Sequence, residues 1–209
     1  MKEEIIPLFP LPVVLFPGMS LPLHIFEMRY REMIGQCIES GCPFGLVCLQ
    51  DQMVCEVGCA ARVVDVLKKL PDGTFDILTA GEERFRVVEF ISDKAYLEGR
   101  VKYFQDDQPT PAESDSDPPA HLIREILNFY SALTSQSLYA EQIRKLIEQQ
   151  PKNTSFILAS RLGFDLVFQQ KILEMKSESC RLHRMADFLR LAAEQTSHKP
   201  RGRITFGSN

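Results

Sequence analysis

The 209-residue chain has no uninterrupted apolar run of the roughly 20 residues that a membrane-spanning helix needs. Its most apolar early stretch, Pro7-Leu-Phe-Pro-Leu-Pro-Val-Val-Leu-Phe-Pro-Gly18, is broken by prolines at 7, 10, 12 and 17. Each lacks an N–H and fixes φ, so no single helix runs through the segment. The start, Met-Lys-Glu-Glu, holds two acids where a signal peptide is positively charged, and no small-residue cleavage site follows a helical core. A soluble, cytoplasmic protein with no membrane partner is therefore expected.

Reactive constellations are also scarce. The six cysteines at 37, 42, 48, 55, 59 and 180 form no C-x-x-C pair and match no common zinc spacing. No G-x-x-x-x-G-K-[ST] loop is present to cradle nucleotide phosphates, and no G-x-S-x-G signature of a hydrolase. Four histidines offer few bases for a nucleophile, and His183, between Arg181 and Arg184, is expected at the surface. His24 and Glu27 have half the spacing of a metal site, but Pro22 argues against a continuous helix through both. Glu27 is expected in a first helical turn, near the positive end of the macrodipole. The chain is accordingly expected to be no enzyme and to need no cofactor and no metal. Its net charge of -4 supplies no global reason to bind nucleic acid.

What is present divides the chain unevenly. Residues 1–104 carry a net charge of -4, residues 105–120 hold five acids and no base, and the remainder is +5. Gln105 to Pro119, "QDDQPTPAESDSDPP", has four prolines and no large apolar residue, so it cannot repay its own ordering by burial. Four segments are expected: a β-rich part (1–104), an acidic Pro-rich linker or loop (105–119), a helical part (120–196) and a basic flexible tail (197–209). With cytoplasmic reduction, the cysteines are expected to be structural thiols.

Before the linker, short β-branched or apolar runs alternate with turn signals. Val13–Phe16, Phe44–Leu49, Ala60–Leu67, Thr74–Thr79, Arg84–Ile91 and Tyr96–Phe104 are predicted strands, with a turn at Pro71-Asp-Gly73, a break at Gly81 and a bulge near 87–88. One helix is predicted over Glu27–Ile38, ended by Gly41. Many short strands point to a small barrel or folded sheet. After the linker, apolar residues recur at i, i+3 and i+4 from Leu122 to Leu191. Asn153-Thr154 and Asp165 are positioned to cap the third and fourth helices. Consecutive helices with short joints make a bundle.

Pro10-Leu-Pro12, Leu15-Phe-Pro-Gly18, Leu21-Pro-Leu-His-Ile-Phe-Glu27, Arg29-Tyr-Arg31 and Ile34 resemble the opening motif of the Lon-protease N-terminal domain family. The likeness continues through Phe44-Gly-Leu-Val47, Val57–Val63, Asp76–Gly81, Arg84-Phe-Arg86 and Gln169–Glu174 to Arg181-Leu182. The resemblance implies an α+β chain: a β-rich PUA-like pseudo-barrel with one helix, followed by a C-terminal α-helical bundle. It also implies a bacterial protein with the Lon domain of S16 peptidases, used for substrate recognition. With no room for the AAA+ and protease domains, a stand-alone member is expected.

The expected activity is therefore protein binding: engagement of unfolded or extended polypeptide segments, with a protease or chaperone as a further partner. An open sheet edge can accept an extended peptide as another strand, and exposed Met and aromatic side chains accept varied apolar sequences. The candidate peptide-binding residues are Leu11, Phe16, Met19, Phe26, Met28 and Tyr30. Most of them are expected in the core, and an exposed subset would form the patch. The alternative is an RNA-associated PUA-like protein using the basic helical half, with Lys199, Arg201 and Arg203 as phosphate contacts.

Overall fold

A computed structural model describes residues 3–108 and 120–197. The chain divides into two compact units, Met1–Gln105 and Asp106–Asn209.

The first unit contains β1 (Glu3–Leu11), β2 (Ser20–Ile25), α1 (Met28–Ser40), β3 (Phe44–Gln50), β4 (Met53–Lys69), β5 (Phe75–Ile91) and β6 (Glu98–Phe104). The sheet order is β2-β5-β4-β3-β1-β6, and a further β5–β6 pairing closes five of the strands into a barrel, leaving β2 outside the closure. β1 pairs parallel with β3 and antiparallel with β6.

The early prolines now have positions. Pro7 is the last β1 residue of the β6 ladder, and the β3 ladder begins at Leu8. A missing donor costs least where a strand changes partners. Val13–Phe16, predicted as a strand, has no regular structure, although Val14, Leu15 and Phe16 are all buried. Pro12 and Pro17 bracket this segment, and its apolarity serves burial without pairing.

Gly81, predicted to break the chain between two strands, lies inside the continuous 17-residue β5. A Cβ there would strike the Phe16 carbonyl oxygen and crowd Leu15. Glycine is needed for close backbone approach, and the chain does not turn. Gly81 N–H in fact bonds the Met19 carbonyl at 2.8 Å, and Gly18 N–H bonds the Gly81 carbonyl at 2.9 Å. Farther on, the β5–β6 register shifts between Val87 and Glu89, at the predicted bulge.

Two apolar clusters fill this unit. One joins Phe9, Ile25, Tyr30, Ile34, Phe44 and Ile77 beneath α1; the other joins Ile6, Leu8, Val47, Phe85, Val87 and Val101. α1 ends on Gly41 in the left-handed region, φ 67°. Glu27 stands at its N-cap and makes no side-chain cap bond. It precedes the first helical turn, in which it was expected, and its carboxylate pairs with Arg29 at 2.8 Å.

The second unit contains α2 (Ala120–Thr134), α3 (Ser137–Gln149), a 3-10 turn (Pro151–Asn153), α4 (Thr154–Arg161), α5 (Leu166–Glu174) and α6 (Glu178–Ser197). Asp165 caps α5 as expected, accepting from Phe168 N–H at 2.7 Å. Asn153 makes no side-chain cap on α4. Glu178 takes that role from a distance in sequence, accepting from Ser155 N–H at 2.8 Å.

Arg181 is 1% exposed and organises the unit. Its guanidinium pairs with Asp106 and Glu178 at 2.5 and 2.7 Å, donates to Ser155 Oγ and the Met175 carbonyl, and lies 4.3 Å from the Phe156 ring centre. Burial works against its charge, but hydrogen bonds and attraction from the two carboxylates outweigh it and raise its pKa. Leu191, which ends the predicted apolar periodicity, is exposed, and so is Cys180.

Candidate functional site

β2 alternates in sequence and in burial. Leu21 and Leu23 pack against the α1 cluster and Ile25 belongs to it, whereas Ser20, Pro22 and His24 are exposed. Among the described residues β2 pairs only with β5, from Ser20↔Ala80 to Ile25↔Phe75. The Gly81 N–H to Met19 carbonyl bond sets the phase of this antiparallel ladder. Counting on from it, Leu21, Leu23 and Ile25 direct their backbone groups to β5, and Ser20, Pro22 and His24 direct theirs to the outer edge. That edge offers three carbonyls but only two N–H groups, because Pro22 has none.

Beyond β2 the chain turns into α1 with two large apolar side chains in water: Phe26 is 61% exposed and Met28 71%. Phe26 stacks on His24, with ring centres 5.9 Å apart, and His24 Nδ1 is 2.6 Å from Asp76 Oδ1 across the β2–β5 pair. Arg31 reaches Met28 Sδ at 3.1 Å and donates to the Asp72 carbonyl at 2.8 Å. The β4–β5 turn is thereby fastened beside α1. Gly73 in that turn has φ 82°, and a Cβ on it would meet the Arg31 guanidinium. The Asp72 carboxylate accepts from Thr74 N–H and Oγ1 at 3.0 and 2.8 Å, bonds that lower its pKa.

The six predicted residues separate by burial. Phe16 and Tyr30 lie in the core, and Tyr30 packs on Phe9 with ring centres 4.2 Å apart. Leu11 and Met19 are partly buried against the same cluster. Of the six, only Phe26 and Met28 are exposed. The reading of the sequence weighed His24 as half of a metal site and Pro22 as a helix breaker, and it missed the strand Ser20–Ile25, whose signal was two-residue alternation. It also passed over Val64 and Leu67, both more than half exposed, which coincide with register shifts in β4. Lys199, Arg201 and Arg203 lie outside the described residues.

Among the described residues no three His, Cys, Asp or Glu side chains are grouped to hold a metal ion, and no helix is long and apolar enough to cross a membrane. Cys37, Cys48 and Cys59 are buried thiols, and burial is the main cause that pushes them up to about 11, 12 and 12. They are protonated near neutrality and poor nucleophiles.

A β-barrel carrying one helix and followed by successive helices is the fold of Lon N-terminal domains. The Lon N-terminal domain protein from Xanthomonas campestris superposes with a TM-score of 0.62 at 22% identity, covering 88% of this chain and 98% of that one. The N-terminal domain of the Mycobacterium avium complex Lon protease gives 0.67 at 17% identity, covering 90% and 98%. The sequence pattern of the ATP-dependent protease La (LON) substrate-binding domain matches residues 5–190, and the chain belongs to that family. It is 31% identical to the Lon protease of Porphyromonas gingivalis over 52% of this chain and 14% of that protein. With the Lon protease of Bacillus thuringiensis the identity is 27%, over 90% of this chain and 24% of that protein. The chain thus spans about a quarter or less of the Lon proteases it matches.

Proposed function

We propose that the β-rich unit is a non-catalytic recognition module that binds extended, apolar segments of unfolded polypeptides along the outer edge of β2. The carrying observation is the exposure of Phe26 and Met28 directly after a strand whose outer edge pairs with no other described strand. An extended client pairs with the backbone of Ser20 and His24 and lays apolar side chains on Phe26 and Met28. Backbone pairing is indifferent to client sequence, and a flexible thioether adapts to different shapes. Pro22 removes one donor from the middle of the edge, which limits the pairing and disfavours permanent strand addition.

Weak, reversible binding follows. Fully burying a side chain of this size contributes about 1.5–3 kcal/mol, so the remaining exposure of each supplies about 1–2 kcal/mol. Ordering the client offsets part of that, which places single-segment affinity in the micromolar to millimolar range.

The test is fluorescence anisotropy of a labelled, reduced and carboxymethylated protein that cannot fold, titrated with the purified chain. Phe26→Ser with Met28→Ser weakens binding at least about tenfold while leaving the unfolding midpoint unchanged, since both side chains are exposed. Unchanged affinity in this double variant, or no binding by the parent chain, overturns the proposal.

A further inference from the structure

The helical unit carries a surface that the β2 edge does not involve. A groove of about 620 Å³ lies between α5 and α6. Phe188 of α6 has its ring centre 4.7 Å from that of Phe168 and 5.4 Å from that of Phe164, so α6 runs back along α5 and aromatic rings floor one end. The lining residues recur every three or four positions on both walls: Phe168, Lys171 and Met175 on one, Cys180, Arg184 and Phe188 on the other. Val167 and Leu191 at the rim are 53% and 58% exposed.

The charges in this groove are not equivalent. Asp165 is occupied in capping α5, and Asp187 pairs with Arg190 at 3.2 Å. The side chains of Lys171 and Arg184 make no ion pair or hydrogen bond among the described residues. The surface therefore reads apolar, cationic, apolar along its length, with Asp165 set at the start of α5 and Asp187 against Arg190, which also pairs with Glu125 at 2.6 Å. From Cys180 to Leu191 α6 rises about 16 Å, or three turns.

We propose that this groove seats an acidic amphipathic helix of another protein. Two walls that repeat with the helical period present a channel into which the ridges of a third helix fit. Apolar side chains of that helix pack on Phe168, Phe188, Val167 and Leu191, and carboxylates one turn away meet Lys171 and Arg184. A basic helix of the same shape sets like charges together and is rejected.

A fluorescein-labelled synthetic helix of about sixteen residues, with leucines on one face and glutamates beside them, tests this against the full chain at physiological salt. Its counterpart has lysine at every glutamate position. The acidic peptide is expected to bind at least about tenfold more tightly than the basic one. Lys171→Glu with Arg184→Glu is expected to reverse that order, which a general loss of folding cannot do. Val167→Asp with Leu191→Asp, both at exposed positions, abolishes binding with the thermal midpoint unchanged. Phe26→Ser with Met28→Ser leaves it intact, which separates this site from the β2 edge. Equal binding of the two peptides, binding of neither, or indifference to the rim substitutions overturns the proposal.

Discussion

The β-rich unit and the helical unit solve the same problem, holding irregular backbone in place, by different means. In the first, the buried segment Val14–Phe16 is fixed by close backbone approach, and Gly81 is bare because the Phe16 carbonyl passes over it. In the second, Asp106, the Met175 carbonyl and the start of α4 converge on one buried guanidinium. A closed sheet satisfies its backbone groups through its own ladder and needs space at a few positions. Short successive helices leave unpaired ends at every joint, and a five-donor side chain can gather several of them. The two units should therefore fail differently when altered.

The largest effect is expected at the charged hub. Arg181→Met leaves the carboxylates of Asp106 and Glu178 without their cation, at a cost of about 3–5 kcal/mol. Urea unfolding followed by hydrogen exchange should show protection lost in α4–α6 and kept in β3–β5. Loss spread evenly over both units would mean that they do not fail separately.

Next comes a change that adds only a methyl group to the barrel. In Gly58→Ala the new Cβ would lie 2.5 Å from the Leu46 carbonyl oxygen and 2.7 Å from the Phe85 ring. A loss of about 2–3 kcal/mol is expected, with faster exchange along the β3–β4 ladder. An unchanged urea midpoint would show that the ladder gives way more easily than the contacts indicate.

Alkaline pH sharpens the contrast. Cys48 and Cys59 are held near 12 in the folded state, whereas an unfolded thiol titrates near about 8.5. Because their folded pKa is raised, the stabilisation is complete below the unfolded value and is lost as pH climbs towards the folded one. The urea midpoint of the β-rich unit should fall from about pH 9 upward. The helical unit, whose one cysteine is exposed, should change less. Replacing Cys59 by alanine should flatten the slope.

Smaller effects belong to single caps and exposed pairs. Asp165→Ala removes the side-chain bond to Phe168 N–H and costs about 1 kcal/mol in thermal or urea unfolding. Arg29→Ala, which breaks a half-exposed pair with Glu27, should cost less than about 1 kcal/mol.

Local chemistry made much of this legible in the sequence. Gly41 announced the end of α1, Asp165 the start of α5, and the apolar spacing of Leu122, Ile126 and Tyr130 the buried side of α2. Each is a short-range rule in which the residue and its effect lie within one or two turns. Where the sequence misled, a distant partner decided. Asn153 looked like a cap, but Glu178, 25 positions later, took the orphan N–H of Ser155. Gly81 looked like a turn until the Phe16 carbonyl lay against it.

The candidate site shows the same division. The sequence by itself determined that Pro7–Gly18 is apolar and broken by prolines, and that the chain carries the motif of its family. Only the tertiary structure decided that Phe16 and Tyr30 point into the core while Phe26 and Met28 meet water. Hydrophobicity is a property of a residue, but exposure depends on which distant surfaces cover it. Phe9 and Phe44 cover the α1 side, and nothing among the described strands pairs with the outer edge of β2.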